Sequence, residues 1–94
     1  MQYIKVNWIH SDPEYPIMIY SELSDSRIET RKVEIWSNGK IGFSDLSEST
    51  NTTKFSEDAV PSIPEISKDS QFQPAEISKN EFEIIWSKRN SKVS

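Results

Sequence analysis

The sequence predicts an α+β domain, a mainly antiparallel sheet of about four strands with a C-terminal helix packed across it. Three observations carry this expectation. Residues 3–9 alternate in polarity. An Asn38-Gly39 step separates two strand-like runs. From Ser78 onward a capping box leads into an apolar stripe at helical spacing.

In the first run, Ile4, Val6 and Trp8 share one face and Tyr3, Lys5 and Asn7 the other, the period of a half-buried strand. The segment Ser11-Asp12-Pro13-Glu14-Tyr15-Pro16 holds two prolines, which cannot extend a ladder, and reads as a turn. Ile17-Met18-Ile19-Tyr20 supplies a second strand, antiparallel to the first. After the polar turn Ser24-Asp25-Ser26, residues 28–36 run without glycine or proline and carry β-branched Ile28, Thr30, Val33 and Ile35, a third strand. Asn-Gly suits a two-residue type I′ turn, which closes this strand onto Ile41-Gly42-Phe43-Ser44. Such a loop pairs Trp36 with Ile41, Ile35 with Gly42 and Glu34 with Phe43, and hairpin 28–44 is expected at the centre of the sheet. Trp36, Ile41 and Phe43 then face one way and Val33 and Ile35 the other. Because both faces are apolar, which one is buried stays open, and a sheet partly covered on both sides, or a strongly twisted one, would reconcile them.

Residues 47–53 contain no apolar side chain and read as a mobile loop, re-anchored by Phe55. Ser62 is placed to cap a short helix, with Pro64 in its first turn and Glu65 to complete a capping box, ahead of Gln71-Phe72-Gln73-Pro74. The final helix is the clearest: Ser78 and Glu81 form a capping box, Ile77 and Phe82 a hydrophobic staple, and Phe82, Ile85, Trp86 and Arg89 one stripe. Residues 1–90 are expected to form a single domain, with a frayed tail over 91–94.

The composition narrows the function. Among 94 residues there is no cysteine and one histidine, His10. A disulfide framework and a thiolate metal site are thereby excluded, and groups that titrate near neutrality are scarce. The pattern suits a reducing cytoplasm, and neither a leader-like segment nor a membrane-spanning run is evident. Asp and Glu number 15 against 11 Lys and Arg, and without the last seven residues the balance is 15 to 8. Residues 44–83 alone hold nine acids and three bases. Such a surface repels phosphate backbones and favours a basic protein partner.

Two acidic groups are candidates for partner binding: Asp45, Glu48, Glu57 and Asp58 in the second half of the chain, and Asp12 and Glu14 with Tyr15 in the first loop. A charge run is ordinarily a solvated face, but carboxylates can also imitate phosphates in a positive cleft and speed encounter. His10 beside Asp12 and Glu14 is a weak metal signal, since zinc sites draw on several His or Cys, and it reads first as a histidine bonded to a turn. Trp8 and Trp86 are assigned to packing, while Trp36 is left open between core and interface. Gly39 belongs to the turn, and Gly42 permits close packing or a bulge. Catalytic, cofactor-binding and metal-ligating residues are not expected, nor is a small-molecule ligand.

Taken in order, Tyr3-Ile4-Lys5-Val6-Asn7-Trp8-Ile9-His10, Pro13, Pro16, Tyr20-Ser21-Glu22, Arg31-Lys32-Val33-Glu34, Gly39 with Gly42, and Glu76 through Trp86 resemble a family of small bacterial domains of largely uncharacterised role. Members of that kind occur beside polymorphic toxin and contact-dependent growth inhibition genes. The resemblance spans nearly the whole chain and departs most over 47–54. It implies an immunity protein, a cytoplasmic binder that neutralises a cognate toxin domain, a basic nuclease by the charge argument above. The alternative is a non-catalytic adaptor that binds a housekeeping protein through the sheet edge or the 47–54 loop. An enzyme using His10 with Asp12 or Glu14 is the third reading.

Overall fold

The computed structural model describes residues 1–47, 49–50, 53–56 and 58–89. Along the chain come β1 (Gln2–Trp8), β2 (Met18–Leu23), β3 (Glu29–Ile35), β4 (Ile41–Ser44), α1 (Ile63–Ile66), β5 (Phe72–Glu76) and α2 (Lys79–Ser87). The strands form one sheet of order β4-β3-β2-β1-β5 in which every neighbouring pair is antiparallel. The α+β class and the C-terminal helix on the sheet are as expected, with five strands rather than about four. The expected frayed tail lies outside the described residues.

The extra strand is β5, which Pro74 disguises in the sequence. Proline is tolerated in a sheet only where its missing N–H is not needed. Ile9 N donates to Gln71 O at 2.7 Å and Ile77 N to Tyr3 O at 2.9 Å, so the odd-numbered residues of this strand bond to β1. The backbone of Phe72, Pro74 and Glu76 therefore points away from the sheet, and Pro74, opposite Val6, removes no ladder bond. With β5 added beside β1, the sheet centre shifts to β2, and hairpin 28–44 lies at one side instead of the middle.

The register of that hairpin also differs from expectation by one residue. Trp36 N donates to Lys40 O and Gly39 N to Trp36 O, both at 2.9 Å, which closes a three-residue loop, Ser37-Asn38-Gly39, with only Gly39 at positive φ (88°). A two-residue type I′ turn would need positive φ at Asn38 too. Ile35 consequently opposes Ile41, Glu34 opposes Gly42 and Val33 opposes Phe43. Since side chains alternate with period two, the slip gathers Val33, Ile35, Ile41 and Phe43 on one face and sends Trp36 to the other. The β2–β3 loop repeats the same bonding: Ser24 N donates to Ile28 O at 2.9 Å and Arg27 N to Ser24 O at 2.8 Å. Here Arg27 occupies the left-handed position (φ 62°) and its guanidinium donates to Val60 O and Pro61 O.

Both faces of the sheet are covered. On the first, α2 brings Phe82, wholly buried, against Tyr3 and Ile77, with Tyr20 and Trp86 packed alongside. Burying a side chain of that size stabilises by about 2–3 kcal/mol. The helix starts where the capping signal places it, since Glu81 N donates to Ser78 Oγ at 3.1 Å. Glu81 itself reaches Lys5 at 3.4 Å. On the second face, Ile4, Val6 and Leu23 form the buried cluster under Val60, Ile63, Ile66 and Phe72, and α1 is capped by Ser62. Trp36 and Gly42 lie on this side as well. A Cβ on Gly42 would collide with Thr53 Oγ1 and sit 3.1 Å from the Trp36 ring, so close packing is what that glycine permits.

Candidate protein-binding surface

The loop joining β1 to β2 is held from several directions. His10 Nε2 lies 2.8 Å from Pro16 O, and His10 Nδ1 accepts from Asp12 N at 3.0 Å, which places the ring proton on Nε2. Asp12 Oδ1 accepts from Glu14 N at 2.9 Å, an Asx turn of the kind that short polar side chains make at loop tips. From β3's end, Trp36 Nε1 donates to Glu14 O at 3.1 Å. His10 is thus bonded to the turn, and Trp36, left open by the sequence, is a buried strut beneath it.

Aromatic rings support the same loop. The Trp8 ring centroid lies 4.7 Å from that of His10, 5.4 Å from that of Tyr15 and 5.5 Å from that of Phe72. Tyr15 keeps 50% of its surface exposed and Ile9 49%. Asp12 and Glu14 are exposed beside them. A fixed backbone that presents two carboxylates and an amphipathic ring loses little freedom when a partner docks, which is where affinity is ordinarily forfeited.

The opposite end of the sheet is organised around Arg31. Its guanidinium donates to Glu22 Oε2 at 2.6 Å and to Glu83 Oε1 at 2.8 Å, and lies 4.9 Å from the Phe82 ring centroid and 5.1 Å from that of Trp86. Burial pushes Glu22 up, but the hydrogen bonds from Arg31 and Thr30 outweigh it and hold the carboxyl below its ordinary value. Arg31 also draws Glu83 down, and burial together with Glu22 raises the Tyr3 phenol. Nearby, Asp45 Oδ1 accepts from Ser47 N and Ser47 Oγ at 2.8 and 2.9 Å, and Leu46 is fully presented to solvent at 83% exposure.

The structure separates the two sequence-predicted acidic groups. Asp45 borders the hollow shared by Met1, Glu22 and Arg31, while Asp12, Glu14 and Tyr15 sit at the other end of β1 and β2. Asp58 is exposed, close to the point where Val60 N bonds Arg27 O under the β2–β3 turn. Glu48 and Glu57 lie outside the described residues. Sequence reasoning overlooked Phe72 and Trp36 as supports of the first loop, because they reach it from β5 and from the end of β3 rather than from neighbouring positions. Among the described residues, no group of three His, Asp or Glu is placed to hold a metal ion, and no helix is long and apolar enough to cross a membrane.

A five-stranded antiparallel sheet with a helix on each face, presenting a rigid acidic loop, defines a small α+β domain. Over residues 2–91 the chain matches the family described as a domain of unknown function, DUF6881, and it belongs to that family. No curated protein and no solved structure matches it.

Proposed function

We propose that this chain is an immunity protein, a cytoplasmic, non-catalytic domain that binds a cognate toxin domain and blocks its basic, nucleic-acid-cleaving cleft. The observation that carries the reading is the 10–16 loop, whose backbone is fixed by His10 and Trp36 while Asp12, Glu14 and Tyr15 project from it. Carboxylates so held can occupy phosphate positions in a positive cleft without reorganising. The sequence resemblance to domains found beside toxin genes supplies the kind of partner. Asp45 and Asp58 lie at the far end of the sheet from this loop.

Binding by strand addition is disfavoured, which weighs against an adaptor acting through the sheet edge. Thr50 N donates to Phe43 O at 2.8 Å and Ser49 bridges to Ser44, so the outer edge of β4 is occupied at Phe43 and Ser44. The outer edge of β5 lacks a donor at Pro74 and has the Phe72 N–H bonded to Asp69 O at 3.0 Å. Co-expression with the toxin encoded by the adjacent gene tests the proposal. Restored growth and a complex that co-elutes on gel filtration are expected. Absence of both sinks it.

A further inference from the structure

Between the second face of the sheet and α1 lies an open trough of about 500 Å³, floored by Ile4, Val6 and Ile19 and walled by Ile66 and Phe72. Its charged lining is mostly acidic: Glu29, Glu65 and Asp69 against Lys32. Glu29 is saturated, accepting from Ser21 Oγ at 3.0 Å and Ser56 N at 2.6 Å with Lys32 at 3.5 Å, and Glu65 is paired with Lys68 at 3.1 Å. The Asp69 carboxylate accepts only from Gln71 N, at 3.0 Å, and faces no cation within ion-pair reach among the described residues. The trough ends beside the first loop, since its lining residue Phe72 packs on Trp8 and Trp8 on Tyr15. The Asp69 carboxylate bonds Gln71 N, and Gln71 O takes the Ile9 N–H, so Asp69 stands at the same end of the trough as Asp12 and Glu14, and the trough complements a segment with an apolar side chain for the floor and a basic residue beside it at that end.

We infer that this trough is the second half of the toxin interface and takes one apolar side chain with a Lys or Arg beside it from the partner protein. The partner's identity rests on the function proposed above; the chemistry of the trough does not. Buried apolar anchors in such pockets dominate interface energies, and an acidic rim fixes their orientation.

Two measurements test this. Titrating the isolated protein with n-hexylammonium, followed by amide chemical shifts, should move Val6, Ile66 and Phe72 at the millimolar concentrations so small a probe requires. The same titration with n-hexanoate should leave those amides still. Ile66→Trp, which fills the trough, and Asp69→Lys, an exposed change that spares the fold, should each weaken the cation by about fivefold or more. In the toxin complex, Ile66→Trp should raise Kd about tenfold or more. No response to the cation, or equal response to the anion, overturns the inference whether or not a toxin complex forms. A cation that binds while both variants leave toxin affinity unchanged assigns the trough to a small molecule and overturns it as well. Failure of wild-type protein to bind the toxin at all removes the proposed function, while the hexylammonium titration still decides the trough.

Discussion

The Arg31 guanidinium lies between the Glu22 and Glu83 carboxylates and under two aromatic rings, so removing it strands a Glu22 side chain that is only 10% exposed. Arg31→Ala should cost about 3–5 kcal/mol in urea unfolding, whereas Arg31→Met with Glu22→Leu should recover much of that loss, because no charge is left buried alone. The same ion pairs set an acid dependence. Glu22 is held below its ordinary value of 4.5, so its contribution is present above that pH and is lost as the pH falls through the lower folded value. Glu83 acts in the same direction. Glu34 has the opposite sign: burial raises it, with Glu29 adding to the shift and Lys32 and the Thr53 hydroxyl opposing it. A raised carboxyl destabilises the fold once the pH exceeds its unfolded value. Glu34→Gln should therefore raise Tm at neutral pH, and the gain should vanish near pH 4.5, as thermal melts across that range would show.

At the scale of elements, the signals that proved legible were local ones. Ser62 and Ser78 cap the helices they were expected to cap, because the capping bond spans three residues and needs no tertiary partner. Ser78→Ala should cost about 1 kcal/mol, measured by chemical denaturation. The β3–β4 register was misread because Asn-Gly fits more than one loop, and the strands' need to place Val33, Ile35 and Ile41 on the same face as Phe43, which meets Trp86 of α2, favours the longer one. Strand β5 was missed because a proline tells against a strand unless the strand is an edge, which only the sheet order reveals. That proline has a consequence of its own. Pro74→Val should leave folding intact but restore an outward donor, and light scattering should show increased self-association.

For the molecule as a whole, charge is divided between work inside the fold and work at its surface. Lys5, Arg31, Lys32 and Lys68 are drawn into ion pairs, while Asp12, Glu14 and Asp69 carry no ion-pair partner among the described residues. If those acids steer a basic toxin, Asp12→Lys with Glu14→Lys should slow association and flatten its dependence on ionic strength, read by stopped-flow mixing at several salt concentrations. Equal rates for the double variant would move the interface away from the loop, with the Asp45 end as the next place to look.

By itself the sequence determined the α+β class, the first four strands, both helix starts, the acidity and the bonding of His10 to its turn. Each rests on alternation, capping or composition, which act over a few residues or over none. Tertiary structure alone decided the fifth strand, the hairpin register, the burial of Trp36 and the separation of Asp45 from Asp12 and Glu14 to opposite ends of the sheet. Those depend on pairings between residues tens of positions apart, such as Val6 with Pro74 and Trp36 with Glu14, for which neighbouring residues carry no signal.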